Sequence, residues 1–268
     1  MTTSQPAHDP QPATSPTQPA IGVLLVHGLN GSRSDFAEME TLLRSRDMVV
    51  VNMLLPGHGS KVKDMLAIGW EEWSRAVYDE LRALKQRCNV VFLVGHSLGG
   101  ALSLHVAAHE EVTGIVTICA PLHMHSWLKA AVGVAKYITP FLPRLREDVR
   151  DHKARKRYQR DANAYSWMPM RPVESMLRYL PRLREELPLV TVPALVMISI
   201  HDHVVPARDG REIYRLIGSR EKHLVTFHRS YHVVMKDHDR DEVLAKTLAF
   251  IQLHAGKASP HQKMNQTA

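Results

Sequence analysis

Residues 90 to 99, "VVFLVGHSLG", constrain this chain more than any other stretch. Five apolar residues, Val90 to Val94, read as a strand covered on both faces. A helical stretch begins at Leu98. Between them stands Gly95-His96-Ser97-Leu98-Gly99, the pattern G-x-S-x-G. A serine at so sharp a strand-to-helix turn has its hydroxyl pushed outward, and glycine two residues to either side lets the strand and helix close up around it. The helix then aims its first backbone N–H groups, and its partial positive end, at whatever reacts there. The pattern predicts a nucleophile at Ser97.

The rest of the chain builds the same kind of unit repeatedly. "IGVLLVHG" (21–28), "MVVVNMLLPGHG" (48–59), "GIVTICAP" (114–121), "VPALVMISIHD" (192–202) and "HLVTFHRS" (223–230) read as strands. Between them run helical patterns. One is 34–46, with apolar residues at 36, 39, 42 and 43 and Ser34 as its cap; another is 70–87, apolar at 70, 73, 77, 81 and 84; others fall near 98–109, 207–217 and 241–255. Buried strands alternating with amphipathic helices predict an α/β fold: a mostly parallel sheet of six to seven strands flanked by helices, with ligands at the carboxyl ends of the strands. Residues 21–121 and 192–256 form this core. Residues 122–191, too long for one connection and rich in Met, Trp, Tyr, Arg and proline, are expected to be an inserted helical cap over the site. Residues 1–20, with no large aliphatic residue after Met1, and 257–268 are expected to be disordered tails.

A serine hydroxyl needs a base. Asp202 follows the apolar run of the strand at 192–202 and His232 follows the last strand, so the chain order is Ser97, Asp202, His232. His232 takes and returns the serine proton and Asp202 fixes its tautomer. Asp209, His228 and His238 are the rivals, placed on a helix, in a strand and too late. The backbone N–H groups of Leu98 and Leu29 are the expected oxyanion donors. His96, Met124, Trp127 and Leu128 are candidate pocket residues, the last three on an apolar cap underside. His201, Asp202 and His203 have metal-ligand composition, but successive residues on a strand point to opposite faces, so Asp202 would point away from both histidines; no metal and no cofactor are expected.

Composition bounds the partners. The net charge is +7, and 12 Lys/Arg against 7 Asp/Glu between Pro143 and Glu186 supply +5 of it. No nucleic-acid motif accompanies that excess, so a solvated surface is expected and no nucleic-acid partner. No apolar run reaches the ~20 residues of a membrane span, which argues against stable membrane insertion. Cys88 and Cys119 fall at opposite ends of the sheet, too far apart to bond. With no Lys or Arg before Arg33, a secretory signal is not expected either, and the chain is expected to be cytoplasmic. Whether it is a monomer or a dimer stays open.

In order, "LLVHGLNGS", "LPGHG", "GHSLGG", "GIVTICAPL", "HDHVVP" and "SYHVV" resemble the bacterial carboxylesterases and monoacylglycerol lipases of the α/β-hydrolase superfamily. The resemblance runs from Ile21 to Ala255. It implies an α/β-hydrolase fold with a small cap and a serine hydrolase acting on short- to medium-chain carboxylic esters, monoacylglycerols among them. It implies the triad Ser97, Asp202 and His232, with oxyanion donors at Leu29 and Leu98. The sequence departs from that pattern at Tyr231, where such enzymes usually have glycine, and in lacking two leading strands. Thioester, amide or C–C bond cleavage, and ligand binding without catalysis, are the alternatives.

Overall fold

The computed structural model describes residues 20–123, 132, 139–143, 148–159 and 167–258. Six strands make the main sheet: β1 (Ile21–Val26), β2 (Val49–Asn52), β3 (Val90–His96), β4 (Gly114–Ile118), β7 (Ala194–Ser199) and β8 (Lys222–Phe227), in the order β2-β1-β3-β4-β7-β8. Every pairing in it is parallel. A parallel sheet needs cover on both faces, and the alternation of each strand supplies it. Leu24, Val26, Val91 and Leu93 point into one apolar cluster; Val23, Leu25, Val90, Phe92 and Val94 point into the other.

Helices close both clusters. α2 (Trp70–Lys85) and α3 (Leu98–His109) cover the first face, and Trp70, Trp73, Val77, Leu81 and Leu84, one apolar stripe, are all buried there. α1 (Ala37–Arg44) and α7 (Arg240–Ala258) cover the second through Met39, Leu43, Val243, Phe250 and Ile251. The helix expected from 34 begins instead with a 3-10 turn at Arg33–Phe36, and its cap is Ser32, not Ser34. Ser32 Oγ accepts from the Ser34 N–H while Asp35 accepts from the Ser32 N–H, a reciprocal box that Ser34 cannot make.

Between β4 and β7 the chain is not wholly helical. β5 (Phe141–Pro143) and β6 (Trp167–Pro169) form a two-stranded antiparallel pair. The residue before a proline is pushed out of the helical region, and Leu142 and Met168 each precede one. α4 (His152–Gln159) and α5 (Met170–Glu186) complete the described part of this segment. α5 buries Met170, Val173, Met176, Leu177, Leu180 and Leu183 in the same cluster as α2 and α3, so it packs on the body. α6 (Ala207–Leu216) joins β7 to β8. Cys88 and Cys119 are both free and buried. Among the described residues no helix is long and apolar enough to cross a membrane.

Candidate active site

β3 ends at His96 and α3 starts at Leu98, leaving Ser97 alone at the turn with φ 52° and ψ −121°. A left-handed φ strains a residue with a side chain. The turn holds because it is enclosed on every side. A Cβ on Gly95 would lie 2.3 Å from the Gly99 carbonyl oxygen, and one on Gly99 would lie 2.0 Å from that of Val26. Neither position admits a side chain. The Ser97 N–H donates to the Ile118 carbonyl at 2.9 Å, and the Ala101 N–H donates to the Ser97 carbonyl at 3.1 Å.

Three residues far apart in sequence meet at this turn. His232 Nε2 lies 3.0 Å from Ser97 Oγ, and His232 Nδ1 lies 2.7 Å from Asp202 Oδ2. A carboxylate can only accept, so Nδ1 carries the proton and Nε2 offers its lone pair to the serine hydroxyl. Asp202 Oδ1 accepts the N–H groups of Val204 and Val205 at 2.8 and 2.7 Å. Burial works to raise the Asp202 carboxyl, but His232 and these two N–H groups outweigh it and hold the group below the usual carboxylate range. The Asp202 side chain is 1% exposed, so its charge acts through little water.

The turn after β1 leans on the serine. A Cβ on Gly28 would lie 3.0 Å from Ser97 Cβ, and the Gly31 N–H closes the turn onto the Gly28 carbonyl. Leu29 lies in this turn, and Leu98 is the first residue of α3, whose N–H has no partner within its own helix. His96 is buried behind His232 rather than on an open surface. Its Nε2–H donates to the His232 carbonyl at 3.1 Å, and its Nδ1 has no hydrogen-bond partner among the described residues. Met124, Trp127 and Leu128 lie outside the described residues.

The rivals take other places. Asp209 is fully buried on α6, where Oδ2 accepts the N–H groups of Leu122 and His123 at 2.9 and 2.8 Å. It anchors the chain as it leaves β4. His228 follows β8 and His238 precedes α7; neither touches Ser97 through any hydrogen bond. His201, Asp202 and His203 do not converge: Asp202 faces His232, whereas His203 Nδ1 turns to Asp148 at 2.7 Å.

Two contacts lie beyond reach of sequence reading. Asp148, from the segment between β4 and β7, accepts the backbone N–H groups of both His203 and His232 on Oδ2, each at 3.0 Å. It thus ties the loop of Asp202 to the loop of His232. The Cys119 thiol, at φ 49°, lies within 4.8 Å of the Asp202 carboxylate; burial and that charge push it well above the usual thiol range, so it stays protonated. Tyr231, at the rim, packs edge-on against His203 at 4.5 Å between ring centres.

Burial lowers His96 to about 3, with His232 beside it opposing a second charge. Burial also lowers His58 to about 3, with His27 adjoining. An unfolded histidine titrates near 6.5, so on acidification the unfolded chain takes up protons that these two folded side chains refuse. The stability they confer is complete above pH 6.5 and falls as pH drops toward 3. The slope rises to about 1.4 kcal/mol per pH unit for each group well below pH 6.5, so lowering the pH from 6.5 to 5 should cost about 3 kcal/mol for the two. Urea unfolding at both values measures the drop, and His58→Phe should remove about half of it. A free energy that stays level across this window would contradict the buried neutral imidazoles.

Comparison with known proteins places this geometry among hydrolases. The model of the family described as serine aminopeptidase, S33, matches residues 17–239. The chain is 30% identical to the thermostable monoacylglycerol lipase of Bacillus sp. (strain H-257), over 88% of this chain and 92% of that protein. It is 25% identical to the carboxylesterase of Bacillus subtilis (strain 168), over 86% of this chain and 92% of that one. A solved structure reported for the metagenome-derived lipolytic enzymes LipS and LipT superimposes with a TM-score of 0.82 at 33% identity, covering 88% of this chain and 95% of the other.

Proposed function

The chain belongs to the serine aminopeptidase, S33, family of hydrolases, and from that premise we propose that it is a serine ester hydrolase. Its substrates are short- to medium-chain carboxylic esters, monoacylglycerols included. The observation that carries this reading is the unbroken hydrogen-bond chain from Ser97 through His232 to Asp202, at 3.0 and 2.7 Å. Two near-full-length relatives bear the names of a monoacylglycerol lipase and a carboxylesterase, which favours an ester over the amide in the family's label.

Ser97 Oγ attacks the ester carbonyl while its proton passes to His232 Nε2. The N–H groups of Leu98 and Leu29 stabilise the oxyanion. Collapse of the tetrahedral intermediate expels the alcohol, which leaves with the proton from His232, and Ser97 keeps the acyl group. A water molecule then attacks the acyl carbon and gives its proton to His232; the Ser97 Oγ–acyl bond breaks, the acid leaves, and His232 returns the proton to Ser97 Oγ. Asp202 holds the imidazole throughout, steadied by the N–H groups of Val204 and Val205. Residues 122–191 act as the cap: Asp209 anchors their first residues and Asp148 reaches down to the base.

Asp148 is a positioning residue in this scheme. Asp148→Asn should lower kcat by up to about 10²-fold, the scale of a misplacement near 1 Å, and leave KM nearly unchanged. Steady-state kinetics with both parameters resolved decides; a KM effect with normal kcat would put Asp148 in substrate binding instead.

Hydrolysis of p-nitrophenyl esters from acetate to palmitate, beside a matched thioester and an aminoacyl p-nitroanilide, tests the function. The highest kcat/KM is expected on a short or medium ester. A maximum at palmitate would move the substrate class to long chains. Faster cleavage of the anilide or the thioester would overturn the ester reading.

A further inference from the structure

Away from the triad, α3 and α5 bring a second group of chemically capable side chains together. His105 and His109 lie four residues apart on α3, so they share a face one turn apart. Glu186, the last residue of α5, crosses to meet them. Its Oε2 is 2.7 Å from His105 Nδ1 and its Oε1 is 3.5 Å from His109 Nε2. One donor atom from each residue lies within 4.8 Å of the other two. We propose that His105, His109 and Glu186 bind one divalent transition-metal ion of the Zn2+ type, which pins the end of α5 to α3.

The donor set fits such an ion. Two imidazoles and a carboxylate, with water in the fourth position, suit Zn2+ far better than Mg2+ or Ca2+. Bonds of about 2.1 Å in tetrahedral geometry set neighbouring donors roughly 3.4 Å apart, and the observed 2.7 and 3.5 Å bracket that spacing. His109 is the exposed member of the three, and a small rotation of its ring would bring the group onto that spacing.

The surroundings hold the ligands in place. The Tyr179 hydroxyl donates to Glu186 Oε1 at 2.8 Å, and the Tyr78 hydroxyl stands 3.4 Å from His105 Nε2, the nitrogen on the far side of the ring. Outer partners of this kind orient metal ligands. Tyr179 is itself stacked on Trp70 at 4.2 Å with 12° between the rings. Coordination through His105 Nδ1 requires the tautomer with its proton on Nε2, the nitrogen that faces the Tyr78 hydroxyl. The competing cation is Arg182, whose Nε is 3.4 Å from Glu186 Oε1 on a side chain 73% exposed and free to swing away. Arg82 and Lys85 are held on Glu110 instead.

The ion would brace the frame of the active site. α3 begins directly after Ser97, and the chain after α5 leads into β7 and Asp202. Cys119, Asp202 and His232 also lie close enough to share an ion, but they belong to the site already described, so the test must separate the two. Titration calorimetry of ZnCl2 into the full chain, chelator-stripped and without an added histidine tag, does so. One equivalent should bind with micromolar or tighter Kd, raise the thermal midpoint, and give no counterpart with MgCl2. His109→Ala, at a half-exposed position, should weaken that binding by about tenfold or more and abolish the thermal shift, whereas Arg182→Ala should tighten it. No Zn2+ uptake by the wild type would overturn the proposal, as would uptake that His109→Ala leaves unchanged.

Discussion

Ser97→Ala is expected to lower kcat on a p-nitrophenyl ester by about 10⁶-fold, the loss seen when such a triad loses its nucleophile. That corresponds to about 8 kcal/mol of transition-state stabilisation. The geometry makes the substitution clean. The Ser97 hydroxyl touches His232 Nε2 at 3.0 Å, while the fold is held by the Ser97 backbone, through its N–H to Ile118 and its carbonyl to Ala101. Alanine keeps that backbone and tolerates the left-handed φ no worse than serine. The unfolding free energy should therefore stay within about 1 kcal/mol of wild type, and substrate should still bind. Residual activity near the wild-type rate, with the fold intact, would remove Ser97 from the chemistry.

Asp202→Asn should lower kcat by about 10⁴-fold, as the loss of the orienting carboxylate does in this kind of triad. The cause lies in what an amide can satisfy at this position. Asp202 Oδ1 receives two backbone N–H groups, from Val204 and Val205, and only an oxygen can replace it there. The amide nitrogen must then face His232 Nδ1, 2.7 Å away. That nitrogen donates, so Nδ1 becomes the acceptor and the proton moves to Nε2. An imidazole with its proton on Nε2 cannot take one from Ser97. Asparagine also loses the charge that steadies the imidazolium in the transition state. The crystal structure of the variant should show the triad atoms in place, while steady-state kinetics report the loss. Near-normal turnover would show that Asp202 is not the orienting group, and Asp148 would be the next carboxylate to replace.

Much of this architecture was readable from local pattern. The sheet strands are short apolar runs whose neighbours cover both faces, and their parallel pairing follows from alternation with helices such as Trp70–Lys85, whereas their order in the sheet comes from tertiary packing. Ser97 could be singled out because its turn demands glycine at 95 and 99. Asp202 and His232 could be nominated because each sits just past a strand end. What sequence could not show are contacts made by residues distant in the chain and irregular in setting. Asp148 receives N–H groups from residues 55 and 84 positions away, and no periodicity marks it. Cys119 looks like an ordinary buried strand residue until its positive φ turns the thiol to Asp202. β5 and β6 hide in a stretch of helical composition because their extended form is set by prolines. His105, His109 and Glu186 join two helices that only tertiary packing brings together.

The most direct test of the central claim, that Ser97 is an activated nucleophile, is covalent labelling by a fluorophosphonate followed by peptide mass mapping. The protein should take up one label per chain, on Ser97, and Ser97→Ala should take up none. A folded wild-type protein that stays unlabelled, or carries the label on another residue, would contradict the account.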